Sequence, residues 1–156
     1  MWETFEWDAR SVVSRGIRYA EDEGSESLAP MHLLRAFFDL DSPESRRLRE
    51  TGLRLPPLAV VRPREPDPLA MTPDEGMPLS DGAKSIVVRT FEEARLLDHH
   101  YVTVQHLALS IVREPEIAAF LRSKKLDPAA IYRSLGGRMA APMKRPSLLA
   151  RIFRRG

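Results

Sequence analysis

The sequence predicts an all-α fold in which one helical unit is used twice. Three observations carry this. Apolar residues recur at spacings of three and four along most of the chain, the period of a helix with one buried face. No run alternates apolar and polar residues between hairpin-type turns; "YVTV" at 101–104 is β-prone but too short to anchor a sheet. And the apolar pattern of the first half returns in the second at a constant displacement.

The first helix is expected over residues 5–22, where Ala9, Val12, Val13, Ile17 and Ala20 share a face. Gly24 and the serines around it stop it. Pro30 suits a first helical turn, and His32, Leu33, Ala36 and Phe37 continue from it as a short apolar helix. In "DSPESRRLRE", Ser42 is an N-cap with Pro43 just inside, which predicts a third helix. "TGLRLPPLAV" is apolar but broken by prolines, so a poor short helix or none is expected there.

"RPREPDPLAMTPDEGMP" is dense in proline and charge and is read as a linker. The pattern restarts at Ser80, a good N-cap, with Ala83, Ile86, Val87, Phe91, Ala94 and Leu97 on one face. "HHYVTVQHLALSIV", "EPEIAAFLRSKKL" and "DPAAIYRSL" follow, the last with Asp127 as N-cap and Pro128 as first helical residue. Gly136 and Gly137 close the fold. The resulting division is a first repeat over 3–61, a linker over 62–78, a second repeat over 79–136 and a basic tail over 137–156.

A displacement of 74 superposes the halves: Ala9 on Ala83, Ser11 on Ser85, Val13 on Val87, Arg15 on Arg89, Ala20 on Ala94, His32 on His106 and Leu33 on Leu107. After a one-residue shift, Leu48 falls on Leu121 and Leu53 on Leu126. His106 therefore has a counterpart in His32, whereas His99 and His100 fall on Ser25 and Glu26. A histidine repeated at the start of two Leu-rich helices is expected to be structural, its ring tying down a loop or helix start while its body packs.

Composition narrows the function classes. At 156 residues the chain has the size of one domain or two small repeats, and 43% hydrophobic residues suffice for a core. It contains no cysteine, which excludes disulfides, thiolate metal sites and a Cys nucleophile. "MWETFEWDAR" lacks the basic and apolar run of a signal peptide, and no apolar stretch approaches the roughly 20 residues that span a bilayer. The expectation is a cytoplasmic protein. The net charge of +2 is uneven: Arg138, Lys144, Arg145, Arg151, Arg154 and Arg155 come after every acid, so residues 1–137 carry −4. That gives little support to nucleic-acid binding by the body.

Catalytic and metal chemistry find no motif. There is no "GxSxG" elbow and no phosphate-cradling "GxxxxGK[ST]". His99, His100, His106 and Asp98 could in number ligate zinc, but adjacent histidines rarely converge on one ion. No enzyme activity, cofactor or metal is expected. The tail is a docking candidate: Leu149, Ile152 and Phe153 fall on one helical side, and Arg151, Arg154 and Arg155 mostly elsewhere.

The order of Phe5, Ala9, Ala20 and "PMHLL", then Leu79, Ser80, Ala83, Ala94, "HHYVTVQHLAL" and "LDPAAI", resembles the N-terminal domain of the Clp-type AAA+ unfoldases, the Clp repeat domain. The resemblance covers residues 3–136. It implies two tandem four-helix Clp repeats in a pseudo-twofold bundle of about eight helices. It also implies a non-catalytic module that binds adaptor proteins and substrate segments, and takes no small-molecule substrate. In one branch of the family, phosphorylated arginine is recognised by a glutamate before each "HLL" and a threonine after the opening phenylalanine. Here Met31 and Gln105 stand at the glutamate positions, and Glu6 and Ser80 at the threonine positions. A guanidinium group loses a bidentate partner worth about 1.5–3 kcal/mol without the carboxylates, and Glu6 repels a phosphate. Glu6, Met31, Ser80 and Gln105 are the groove candidates. With no ATPase motif, the resemblance implies a stand-alone accessory or adaptor-like factor whose partner is a Clp ATPase, peptidase, adaptor or substrate segment. The alternative is a small regulator whose basic tail binds an anionic membrane surface or nucleic acid.

Overall fold

A computed structural model describes residues 2–59 and 77–138. After a short 3-10 helix at Trp2–Thr4, the described residues form seven α-helices: α1 (Trp7–Asp22), α2 (Pro30–Phe38), α3 (Pro43–Glu50), α4 (Asp81–Leu96), α5 (Val104–Arg113), α6 (Pro115–Ser123) and α7 (Pro128–Ser134). The first two helices of each half match in order and nearly in length, 16 and 9 residues against 16 and 10.

Local chemistry starts and stops these helices. The Ser42 and Ser80 hydroxyls accept the backbone N–H of Ser45 and Ala83, and the Asp127 carboxylate accepts that of Ala129. Pro30, Pro43, Pro115 and Pro128 open α2, α3, α6 and α7, where no helical N–H is needed. α7 ends at Ser134, and just beyond it the chain turns at Gly136, whose φ of +86° only glycine adopts freely, and where a Cβ would lie 2.6 Å from Gln105 Nε2.

The second half has four helices and the first has three among the described residues. The missing counterpart of α7 is the stretch expected to be a poor helix or none. At a displacement of 73, Arg54 stands where Asp127 caps, and Pro56 and Pro57 stand where Ala129 and Ala130 begin α7. Each proline drives the residue before it out of the helical region, so the turn cannot nucleate.

α2 and α5 are central, each packing on the other and on helices of both halves. Leu33, Leu34, Ala36 and Phe37 of α2 and Leu107, Ala108, Leu109, Ile111 and Val112 of α5 are buried in one continuous core. Each fully buried Leu or Phe contributes about 1.5–3 kcal/mol of transfer free energy. A smaller cluster joins Phe5 and Ala9 to Val87, Ala94 and Val102, with the Phe5 and Phe91 rings edge to face at 5.6 Å.

Two short parallel bridges lock the halves. Phe5, before α1, pairs with Val102, before α5, through Glu6 N–H to Val102 O and Val102 N–H to Thr4 O, both 2.8 Å. Leu28, before α2, pairs with Leu79, before α4, through Leu28 N–H to Pro78 O and Ser80 N–H to Leu28 O, both 2.9 Å. Adding 74 to Phe5 and Leu28 gives Leu79 and Val102, so each bridge is the repeat image of the other. Pro78, at the end of the expected linker, is held in this way.

Candidate protein-binding surface

The bridges decide which helix starts meet. In sequence, Glu6 and Met31 belong to the first copy and Ser80 and Gln105 to the second. The fold crosses these pairs. Glu6 lies at the Phe5–Val102 bridge, beside the loop that leads into α5 and Gln105. Ser80 lies at the Leu28–Leu79 bridge, beside the loop that leads into α2 and Met31, where a Cβ on Gly82 would come within 2.7 Å of the Pro30 ring. Each junction is built from both halves, because the extended residue before each long helix pairs with the other half rather than with its own.

The four candidates differ in what they still offer. Glu6 is exposed, and its carboxylate makes no cap hydrogen bond to α1. Met31 is half-buried against the core. The Ser80 hydroxyl accepts the Ala83 N–H at 3.2 Å. Gln105 is engaged in the fold: its Nε2 donates to the Leu135 carbonyl at 2.9 Å, tying the start of α5 to the end of α7. A partner meets Gln105 only through what that bond leaves.

Trp7 and Tyr101, each 64% exposed, flank the Phe5–Val102 bridge, Trp7 two residues after Phe5 and Tyr101 one before Val102. Sequence reasoning missed both. The available signal was that Trp7 lies off the apolar face begun by Ala9, and that in extended chain Tyr101 points opposite to the buried Val102.

The histidines stand behind these junctions. His32 Nδ1 accepts the Ala29 N–H at 3.0 Å, and its Nε2 meets Glu23 Oε2 at 2.6 Å. His106 Nδ1 accepts the Thr103 N–H at 2.9 Å, which assigns the proton of the neutral ring to Nε2 and lets it donate to His99 Nδ1 at 2.8 Å. Both rings sit three residues into the helix and bind the N–H of the residue before it. His106 is fully buried, and desolvation, with His99 adding to it, pushes its pKa down to about 4. Among the described residues no group of three or more His, Cys, Asp or Glu could hold a metal ion, and no helix is long and apolar enough to cross a membrane. The tail candidates Leu149, Arg151, Ile152, Phe153, Arg154 and Arg155 lie outside the described residues.

The two halves also carry one cross-link in two chemistries. The Tyr19 hydroxyl donates to Asp39 Oδ2 at 2.7 Å; at the repeat displacement these positions become Glu93 and Arg113, where Arg113 Nη1 donates to Glu93 Oε1 at 2.6 Å. The second Glu93 oxygen accepts the Tyr132 hydroxyl at 2.7 Å, and Glu93 is fully buried. Burial, then the bond to the carboxylate, pushes Tyr19 and Tyr132 each up to about 12.

No family model matches the chain, and no curated protein matches it in sequence. Solved structures do match in fold. The N-terminal domain of the caseinolytic protease associated chaperone ClpD from Arabidopsis thaliana superposes with a TM-score of 0.61 at 16% identity, covering 86% of this chain and 96% of that one. The Hsp104 N-terminal domain from Candida albicans gives 0.58 at 14% identity, covering 84% of this chain and 88% of that one. The chain has the fold of a Clp-type N-terminal domain.

Proposed function

We propose that the chain is a non-catalytic protein-binding module that serves a Clp-type machine in the cytoplasm as an accessory or adaptor-like factor, in protein quality control or regulated proteolysis. The observation that carries this reading is the junction at Phe5–Val102. It presents two exposed aromatics and a free-standing carboxylate, Trp7, Tyr101 and Glu6, on backbone clamped by both halves. Aromatic side chains on a rigid support suit partner recognition, since they bring large contact area at little conformational cost. The shared fold with chaperone N-terminal domains agrees with it.

The test is an affinity capture from native lysate with the full chain, a Trp7→Ala/Tyr101→Ala variant and a chain ending at Gly137. Recovery of a Clp ATPase, its peptidase or an identified client by the full chain, and its loss with the double variant, is the expected result. Loss only with the shortened chain assigns docking to the tail. Equal recovery by all three removes the rim from the function. Gln105→Glu is unsuited to this test, because it deletes the donor to Leu135 and reports on folding instead.

A further inference from the structure

The second half holds a cleft that uses none of the rim residues. It lies between α4, α5, α6 and α7 and has a volume of about 650 Å³, within the range of sites that bind ligands. Its floor is apolar, with Leu96, Val112, Ala118 and Pro128. Around that floor stand Arg95, Arg113 and Arg122, against one acid, Glu92.

Arg113 is fixed before any ligand arrives. Its Nη1 is bonded to the buried Glu93, and its guanidinium lies over the Tyr132 ring at 5.6 Å. The side chain is nevertheless 45% exposed, and a guanidinium has five N–H donors in a rigid fork. Arg95 and Arg122 form no ion pair among the described residues.

The first half serves as an internal comparison. At the repeat displacement, Glu21 and Asp39 stand where the cleft has Arg95 and Arg113, so the charge is reversed at both positions. The first half also has no described counterpart of α7, which supplies Pro128 and Tyr132. Arg122 falls on Arg49 at a displacement of 73, so one cation is shared, but the cleft with Arg95, Arg113 and the α7 wall belongs to the second half alone.

We propose that this cleft is a second binding site, for an acidic and apolar protein segment. An aliphatic or aromatic side chain rests on the floor, and a carboxylate, from Asp, Glu or a C-terminus, is held by Arg113 together with Arg95 or Arg122. Charge selects this occupant. A lone carboxylate senses mainly the three nearby arginines, while an extended polyanion laid over the cleft also meets the body, which carries −4, and is drawn instead to the six basic residues of 138–156. The chain's own residues 138–156 hold six basic residues and no acid, which sets them against the arginine ring.

The experiment is a titration of the full-length chain, isotope-labelled for amide NMR, with the peptide acetyl-Glu-Leu-Asp-Phe bearing a free C-terminus. Acetyl-Gln-Leu-Asn-Phe-amide is the uncharged control. Saturable shifts over residues 92–97, 112–122 and 128–132 are expected, with the control binding at least about tenfold more weakly. Arg95→Gln and Arg122→Gln, both at exposed positions that leave the fold intact, each weaken binding about tenfold, and Trp7→Ala leaves it unchanged. Arg113→Lys keeps a cation beside Glu93 but loses the fork, and weakens peptide binding while the amide spectrum stays that of the folded chain. The proposal is overturned by any of four results: no saturable shift in the cleft at millimolar peptide, equal affinity for the uncharged control, a response confined to the helix-start rim, or a preference of the cleft for phosphatidylglycerol vesicles, an oligonucleotide or a second copy of the chain.

Discussion

Burial holds the His106 imidazole neutral in the folded chain, and acid works against that. The unfolded chain takes up this proton near pH 6.5, whereas the folded chain resists until about pH 4. Stability linked to this group is therefore complete above pH 6.5 and falls as the pH drops from there toward 4, by about 1.4 kcal/mol per unit and about 3 kcal/mol in all. Urea unfolding at pH 7.5 and pH 5 measures the slope, and His106→Asn, less stable at neutral pH, shows a shallower one. Glu93 is the opposite case, a buried charge kept by its partners. Glu93→Ala removes the closer acceptor of the Tyr132 hydroxyl, leaving it the Arg138 carbonyl at 3.1 Å, and frees Arg113, which is exposed enough to find water, so the cost is about 1–2 kcal/mol by chemical denaturation. The sequence displays the histidine's role through its repetition at displacement 74. Glu93 was also within reach, since it falls seven residues after Ile86 on the apolar face of α4. Its partners, 20 and 39 residues away along the chain, were not, because periodicity identifies a buried face and says nothing of what lies across from it.

At the level of the helices, local chemistry is self-announcing. Ser42 with Pro43, Ser80, and Asp127 with Pro128 all start helices where their types and positions say they should, since a cap depends on residues only two or three apart. Ser80→Ala costs about 1 kcal/mol in thermal or chemical unfolding. Ser42→Ala costs more, because its hydroxyl and that of Ser45 are buried and bonded to each other and to both backbones. The Pro56–Pro57 pair explains just as locally why residues 54–59 form no helix. The Gln105 amide was opaque by contrast. Its partner, the Leu135 carbonyl, belongs to the C-cap of another helix, a contact that no spacing rule encodes.

The molecule as a whole is held by exchange between its halves. Periodicity and the repeat displacement predicted which faces are buried and put Glu6 and Met31 in one copy and Ser80 and Gln105 in the other, but they do not say which helix starts meet. The extended residues before α1 and α4 in fact pair across halves. Neither half completes its own junctions, so residues 1–76 alone are expected to show no cooperative melt by circular dichroism, while the full chain unfolds in one transition. Gly82→Ala tests the contact itself. The change favours a helix, but its Cβ would press on the stiff Pro30 ring at 2.7 Å, and a net loss of about 1–3 kcal/mol in unfolding free energy is expected.

The crossed bridges also order events during synthesis. Phe5 finds its partner 97 residues later at Val102, and Leu28 finds its own 51 residues later at Leu79. On a ribosome adding about 5–20 residues each second, the opening phenylalanine waits several seconds for the strand that seats it. Throughout that interval the nascent first half shows an apolar edge to solvent, a span of seconds in which shielding of that edge favours correct folding.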